Sequence, residues 1–185
     1  PGGRTRPQHW KRTMNSIPVK APTTIATLIG RLALSLLLPA LTACTKTLGP
    51  IPRSDTVPTL RKSDEQWFAQ LTPQQFYVTR KGATDEPFTG TMHTSHAQGE
   101  FHCICCDLLL FDAKDKYDSG TGWPAFKRPV ALENLRSHAG DTLKGGIEVR
   151  CARCDAHLGH IFDDGPSPDY LRYCINESAL KFVRA

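Results

Sequence analysis

Residues 151–176 read CARCDAHLGHIFDDGPSPDYLRYCIN, and three kinds of chemistry meet in this stretch. Cys151 and Cys154 form a Cys-x-x-Cys pair, His157 and His160 follow across a glycine, and a turn-rich segment leads to Cys174. Cysteine pairs at this spacing bind zinc. Histidines exchange protons near neutral pH, and a cysteine thiolate is a nucleophile. The stretch therefore predicts a metal clamp beside a reactive cysteine and two proton-transferring histidines.

A second Cys-x-x-Cys pair, Cys103 and Cys106, precedes this stretch, and residues 107–150 separate the two pairs. Each pair follows a short β-prone run and precedes a turn. Four thiolates fill the tetrahedral coordination sphere of zinc and leave no position for water, so we expect one structural Zn²⁺ per chain. The separation is longer than in a zinc ribbon, which favours a clamp between distant parts of one domain.

Other arrangements of these side chains are also compatible with the sequence. The four cysteines could be buried thiols or disulfides, because an exported protein can form disulfides. His102, His157 or Cys105 could replace one thiolate as a ligand. The matched spacing favours Cys103, Cys106, Cys151 and Cys154 as the ligands.

Residues 63–185 are predicted to form the folded domain. Ser63-Asp64-Glu65-Gln66 has the form of a capping box, and Thr72-Pro73 begins a second short helix. Short β-branched or aromatic runs separated by turn residues follow, which is typical of antiparallel sheets. These runs are Phe101–Cys103, Leu108–Phe111, Gly146–Arg150 and Leu180–Val183. The pattern predicts a mainly β domain with small N-terminal helices.

The sequence resembles the methionine sulfoxide reductase B family, whose signatures include His-Leu-Gly-His-(Val/Ile)-Phe and Arg-Tyr-Cys-(Ile/Val)-Asn. Residues 116–126, KYDSGTGWPAF, are similar to a third signature and depart from it at Ala125, where serine is usual. Residues 84–90 are similar to Thr-Glu-x-Pro-Phe-x-Gly with one residue inserted or shifted. The resemblance extends roughly from Asp64 to Phe182. It implies two antiparallel sheets clamped by zinc, a fold of the Mss4-like or β-tent type.

The resemblance implies that the R epimer of peptide-bound methionine sulfoxide is reduced by Cys174, which becomes a sulfenic acid. Sulfoxide reduction needs a nucleophile and a proton for the departing oxygen. Arg172 and the amide of Asn176 are close enough in sequence to activate the thiol. His160 is implied as the proton donor on the substrate side, and His157 is a second catalytic candidate or a support for the turn.

Two aromatic residues are expected in the substrate pocket. In the family, the tryptophan at the position of Trp123 helps to receive the substrate's methyl group, and its indole N–H is a further donor. Phe162 is expected to add to the same apolar pocket. Without the resemblance, each candidate also has a plain structural interpretation: Cys174 as an inert buried thiol, the histidines as turn supports and Trp123 as a core residue.

A second thiol must return the sulfenic acid to the thiol. Many family members have their resolving cysteine where this chain has Thr121. Cys105 is the spare thiol of the domain and a possible resolving residue, but its place inside a zinc-binding turn favours direct reduction by an external, thioredoxin-like donor. Oxidised peptide or protein methionine and this donor are the expected partners.

Two other function classes compete with this interpretation. A zinc-ribbon interaction module would explain the four cysteines, but it gives no reason for the Gly-Trp-Pro-Ala-Phe and Arg-Tyr-Cys-Ile-Asn motifs. A thiol-disulfide oxidoreductase would use a Cys-x-x-Cys pair directly. Bound zinc would silence those thiols, so a metal assay separates this class from the first interpretation.

The net charge of +5 belongs to the N-terminal part of the chain. Residues 1–44 contain six basic and no acidic residues, whereas residues 45–185 contain 17 basic and 18 acidic residues, a net charge of −1. A domain with this balance is not expected to bind nucleic acid.

Residues 1–44 have the features of a bacterial lipoprotein signal peptide, with Met14 as a possible true start. An apolar run shorter than a membrane span leads into Leu41-Thr42-Ala43-Cys44, and Cys44 is the expected lipidation site. Residues 45–62, rich in proline, are interpreted as a flexible tether. We therefore expect a lipid-anchored envelope protein that faces the periplasm or the cell exterior. The alternative is an uncleaved N-terminal membrane anchor that starts near Ile25.

Overall fold

The computed structural model describes residues 51–52, 54–137 and 145–185. The predicted signal peptide, the lipidation site Cys44 and residues 45–50 of the predicted tether lie outside these ranges. Within the described residues the chain forms two short α-helices, three 3-10 turns and nine β-strands. Neither of these helices has the length and apolarity that crossing a membrane would require.

The helices precede the strands in the chain. The helices are α1 (Asp64–Phe68) and α2 (Pro73–Lys81). The strands are β1 (Gly99–Cys103), β2 (Leu109–Asp112), β3 (Lys116–Tyr117), β4 (Ala125–Phe126), β5 (Leu135–Ser137), β6 (Ile147–Cys151), β7 (His157–Phe162), β8 (Arg172–Ile175) and β9 (Leu180–Arg184).

All of these strands pair antiparallel, in two sheets. One sheet has the order β2-β1-β9, and the other has the order β3-β4-β8-β7-β6-β5. This architecture confirms the mainly β fold with two antiparallel sheets that the resemblance implied.

Both helices begin at capping boxes. The Ser63 hydroxyl accepts from the Gln66 N–H, and the Gln66 side chain accepts from the Ser63 N–H in return. Thr72 and Gln75 form the same pair of hydrogen bonds at the start of α2. Pro73 is in the first turn, where an N–H would have no acceptor within the helix, so the missing N–H of proline costs nothing there. Local side chains therefore fix where each helix starts.

Aromatic rings from both sheets meet in the core. Phe111 of β2 stacks on Phe126 of β4 at a centroid distance of 4.3 Å, and it lies 5.9 Å from the ring of Tyr173 in β8. Successive side chains of a strand point to opposite faces. Because Tyr173 and Ile175 are buried, Cys174 between them lies on the other face of the six-stranded sheet and is partly exposed.

The described part of the predicted tether lies against the domain. The Ser137 N–H donates to the Ile51 carbonyl at 3.1 Å, and the Leu60 N–H donates to the Arg153 carbonyl at 2.7 Å. The side chains of Ile51 and Val57 are buried. These contacts hold the last part of this segment to the domain surface, ahead of the boundary at Ser63 that the sequence suggested.

Candidate active site and metal centre

Each Cys-x-x-Cys pair lies in its own turn, and the two turns have the same geometry. The Asp107 N–H donates to the Cys103 carbonyl at 2.9 Å, and the Asp155 N–H donates to the Cys151 carbonyl at 3.0 Å. Asp107 and Asp155 both have φ of 61°, in the left-handed region that aspartate tolerates better than most residues. The sequence Cys-x-x-Cys-Asp therefore builds one turn twice, at the ends of β1 and β6.

The two turns bring four thiols together. The sulfur atoms of Cys103 and Cys154 are 3.6 Å apart, those of Cys106 and Cys151 are 3.5 Å apart, and all four lie within 4.8 Å of one another. Tetrahedral zinc with Zn–S bonds of about 2.3 Å requires S–S distances of about 3.8 Å. The four cysteines therefore fit a single zinc ion, and these S–S distances are too long for disulfides.

The cluster joins the two sheets, because β1 belongs to the three-stranded sheet and β6 to the six-stranded sheet.

The other candidate ligands are engaged elsewhere. His102 hydrogen-bonds to Asp107 and Glu100, and His157 to Glu148. Cys105 is buried beside the cluster without being one of the four converging thiols.

Cys174 and His160 are directly opposite each other on neighbouring strands. The β7–β8 register pairs His160 with Cys174 and Phe162 with Arg172. Residues two apart on a strand share a face, so these four side chains lie together on the exposed face of the sheet. The register thus places the predicted nucleophile beside the predicted proton donor.

A β-bulge places His157 on the same face. The β6–β7 register shifts between Val149 and Arg150, and the rings of His157 and His160 end 5.5 Å apart in an edge-to-face arrangement. Gly159 between them has φ of 153°, and a Cβ there would lie 2.1 Å from the Cys174 carbonyl oxygen. This close approach of backbones explains the glycine of the His-Leu-Gly-His motif.

His157 is buried and bound to Glu148, a residue that the sequence analysis missed. Its Nδ1 lies 2.6 Å from a Glu148 carboxylate oxygen, which also accepts from Arg150 at 2.7 Å. Burial raises the pKa of Glu148, but the hydrogen bonds from His157 and Arg150 outweigh burial and lower this pKa to about 2. In the sequence, the only indication of the Glu148–His157 contact was the alternation of charged Glu148 and Arg150 with apolar residues along a predicted strand.

An apolar cavity of about 270 Å³ opens at Cys174. The predicted residues Trp123, His160, Phe162, Arg172, Cys174 and Asn176 line it, together with Thr84, Thr121 and Gly159. His157 and Cys105 are not among the lining residues. The structure therefore brings most of the expected substrate-side residues to one cavity and leaves the thiol of Cys105 beside the four-cysteine cluster.

Two expected donors are already engaged. The indole N–H of Trp123 donates to the Asp85 carbonyl at 2.9 Å, so the ring offers the cavity an apolar wall and no free donor. The amide of Asn176 donates to the Leu158 carbonyl at 3.1 Å, and its oxygen accepts from the Asp85 N–H at 2.9 Å. These hydrogen bonds hold the Trp123 ring and the Asn176 side chain in place as walls of the cavity, and the roles expected for the two residues in the reaction stay predictions.

Burial raises the pKa of the Cys174 thiol, and two neighbours oppose this effect by favouring the thiolate: the positive charge of Arg172 and a hydrogen bond from Thr121. The Arg172 guanidinium also forms two bonds to Asp164, at 2.7 and 2.8 Å, and lies 4.2 Å above the Phe162 ring. Asp164 was not anticipated. The position expected for a resolving thiol is thus occupied by a hydroxyl in contact with Cys174.

Comparison with known proteins extends these observations. The SelR domain family matches residues 71–184. Similar proteins occur in Pseudomonas fluorescens (50% identity over 126 residues, 67% of this chain and 95% of the relative) and Chromohalobacter salexigens (49% over 126 residues, 66% and 94%). A third, from Thioalkalivibrio sulfidiphilus, is 50% identical over 125 residues, which are 66% of this chain and 90% of the relative. All three are named peptide methionine sulfoxide reductase MsrB.

Proposed function

The chain belongs to the SelR family of peptide methionine sulfoxide reductases, and from this premise we propose that Cys174 reduces the R epimer of peptide-bound methionine sulfoxide. The observation that carries the proposal is the direct pairing of Cys174 with His160 at the apolar cavity. A zinc-binding module without catalysis would have no need for Cys174 opposite His160. Neither residue belongs to the four-cysteine cluster, so metal binding does not explain their pairing.

The cavity supports binding of the methionine side chain. The face of Trp123 and the ring of Phe162 line it, and together they offer an apolar surface to the substrate's methyl group. Because Trp123 is held by Asp85 and Phe162 by Arg172, both walls are fixed before the substrate arrives. Preorganised walls reduce the entropy that binding must otherwise cost.

The reducing step moves one oxygen atom. The Cys174 thiolate attacks the sulfoxide sulfur, and His160 gives a proton to the sulfoxide oxygen, so that this oxygen becomes a better leaving group. The protonated oxygen then moves to the Cys174 sulfur. This forms the new S–O bond, breaks the methionine S–O bond and the transient bond between the two sulfur atoms, and leaves methionine and a sulfenic acid. The methionine sulfur gains the two electrons that the cysteine sulfur loses. His157, held by Glu148 beside His160, supports the orientation of that ring.

The sulfenic acid is returned to the thiol by an external donor. One donor thiol attacks Cys174, releases water and forms a mixed disulfide, and a second thiol of the donor breaks this disulfide. Thr121 cannot form a disulfide, and Cys105 is buried beside the metal cluster. These two facts support direct reduction by a thioredoxin-like dithiol.

The four clustered cysteines would hold Zn²⁺ as a structural clamp between the two sheets, with no role in the reaction. The Leu41-Thr42-Ala43-Cys44 sequence supports attachment of the protein to the cell envelope through lipid on Cys44. In that location the reductase would repair oxidised methionine in envelope proteins.

The proposal is tested with peptides that carry one resolved sulfoxide epimer and with a small dithiol as reductant. We expect turnover of the R peptide and a rate at least a hundredfold lower for the S peptide, since a chiral sulfur presents its oxygen to His160 in only one epimer. Equal rates for the two peptides would reject the assigned epimer.

A further inference from the structure

A second cavity, of about 300 Å³, lies beside the four-cysteine cluster and shares no lining residue with the Cys174 cavity. We call it the basic cavity, because its charged lining consists of five cations and one carboxylate. These residues are Arg61, Lys62, Arg80, Arg136, Arg153 and Asp155.

The fold, and not a local run of basic sequence, assembles these cations. They come from the segment before α1, from α2, from β5 and from the second zinc-binding turn. Residues 45–185 as a whole have a net charge of −1. The surface of this cavity is therefore strongly positive, although the net charge of residues 45–185 is slightly negative.

Most of these charges have no acidic partner. Arg136 pairs with Asp155. Arg80 and Arg153 donate to the neutral carbonyls of Cys154 and Cys106, at 2.9 and 3.3 Å. Lys62 donates to the neutral amide of Gln70. Over the described ranges, Arg61, Lys62, Arg80 and Arg153 make no ion pair with a carboxylate.

The metal cluster accounts for only part of this charge. Four thiolates around Zn²⁺ have a net charge of −2, which two neighbouring cations balance. Arg80 and Arg153, which bond to the zinc-binding turns, are the cations placed to do so. Arg61 and Lys62 make no such bond and remain in excess.

Trp67 gives the basic cavity a rigid wall. It is 1% exposed, and the Lys62 ammonium and the Arg80 guanidinium each lie 4.9 Å from its ring centre. Cation–π contacts of this kind hold charged groups in place without neutralising them. Lys62, one of the two cations in excess, is thus positioned in advance, as an anion site requires.

We propose that the basic cavity binds a phosphate-bearing anion. Arginine and lysine together suit phosphate, since the guanidinium bonds two oxygens at once and the ammonium adds a point charge. A phospholipid headgroup and a small free phosphate share this chemistry. Thr59 to Lys62, which line the cavity, end the segment that leads from the predicted lipidation site, and this proximity favours the headgroup.

The test measures thermal unfolding of the full chain, in a neutral detergent, against increasing concentrations of two soluble probes. One probe is inorganic phosphate, and the other is glycerophosphoglycerol, the water-soluble headgroup of phosphatidylglycerol. Sodium chloride at equal ionic strength corrects for screening. We expect a saturable rise of the midpoint with at least one probe, because a ligand that binds only the folded state stabilises it.

Two double variants decide whether the cavity is responsible. Arg61→Gln with Lys62→Gln should weaken probe binding at least tenfold. Lys127→Gln with Arg184→Gln removes one exposed lysine and one exposed arginine outside the cavity, and it should change binding less than twofold. Protection by the headgroup probe assigns the site to lipid, and protection by phosphate alone assigns it to a free phosphate. The proposal is overturned if sodium chloride protects equally, or if both double variants bind the probes alike.

Discussion

At Cys174, three neighbours act on one sulfur atom. Burial favours the neutral thiol, whereas Arg172 and Thr121 favour the thiolate, and the net effect is a raised pKa. A raised pKa favours the neutral thiol over the thiolate before substrate binds. If the Cys174 thiolate is the nucleophile, as we propose, a base must take the proton as the substrate binds. His160 lies directly opposite on the neighbouring strand, and in the proposed mechanism it takes this proton and passes it to the sulfoxide oxygen.

Substitutions of Cys105 and Cys174, the two cysteines of residues 63–185 outside the four-cysteine cluster, separate the regeneration routes. Cys174→Ser should abolish turnover with every donor, since a hydroxyl is a far weaker nucleophile at neutral pH. Cys105→Ser should keep at least half of the activity with a small dithiol and with a thioredoxin-like donor, and oxidised wild type should contain a sulfenic acid that a trapping reagent labels. A Cys105–Cys174 disulfide in the oxidised enzyme, with activity lost in Cys105→Ser, would contradict direct reduction.

Glu148 should make stability depend on acid pH. Its pKa of about 2 in the folded protein is below the value of about 4.3 for an unfolded glutamate, so the unfolded state binds the proton more readily. The stabilisation is therefore complete above about pH 5 and is lost as pH falls through about 2, at a cost of roughly 3 kcal/mol.

Denaturant titrations at pH 6 and pH 2.5 would measure this effect. Glu148→Gln should lose less unfolding free energy between the two pH values than wild type. The control is Glu133→Gln, at an exposed acid, which should follow wild type. Identical pH dependence of the unfolding free energy in Glu148→Gln and Glu133→Gln would show that the Glu148–His157 pair does not stabilise the fold.

At the scale of the elements, the two turns that carry the four clustered cysteines and strand β7 differ in how far the sequence predicts them. The turns depend on local spacing, and the pairing of Cys103 and Cys106 with Cys151 and Cys154 could be predicted. The surroundings of the histidines could not, because a bulge between paired strands puts His157 against Glu148. Distant contacts outside the sheets were also hidden. The Asp85–Asn176 hydrogen bond joins residues 91 positions apart, and it forms because the segment after α2 packs against the end of β8.

The metal prediction belongs to these turns. The purified full chain should contain about one zinc per chain, and Cys151→Ser should destabilise the fold by more than about 4 kcal/mol, because metal binding contributes directly to folding. Metal analysis and denaturant unfolding measure the two effects. The matched control is Cys105→Ser, in the same kind of turn, which should retain the metal. A zinc-free protein with an unchanged unfolding midpoint would rule out the clamp.

At the scale of the whole molecule, the predicted anchor and the catalytic domain are separate features of the sequence. The reductase motifs lie in the folded domain, whereas the proposed attachment to the cell envelope rests on the sequence Leu41-Thr42-Ala43-Cys44 alone. We expect Cys44 to be the lipidated first residue of the mature protein and Cys44→Ser to block processing. Several acyl chains on one residue would anchor it firmly. Mass spectrometry of the native protein checks this, and an intact leader without lipid would reject it.

The order of strands in the smaller sheet has a consequence for biosynthesis. β1, which ends in Cys103, pairs along its length with β9, the last of the described strands, and Cys103 lies opposite Leu180. The ribosome makes β9 after β1 to β8, so this sheet cannot close before β9 has emerged. Pairings between distant parts of a chain also form slowly. The nascent domain therefore stays incomplete until β9 has emerged, which would keep the chain unfolded for the export that we propose.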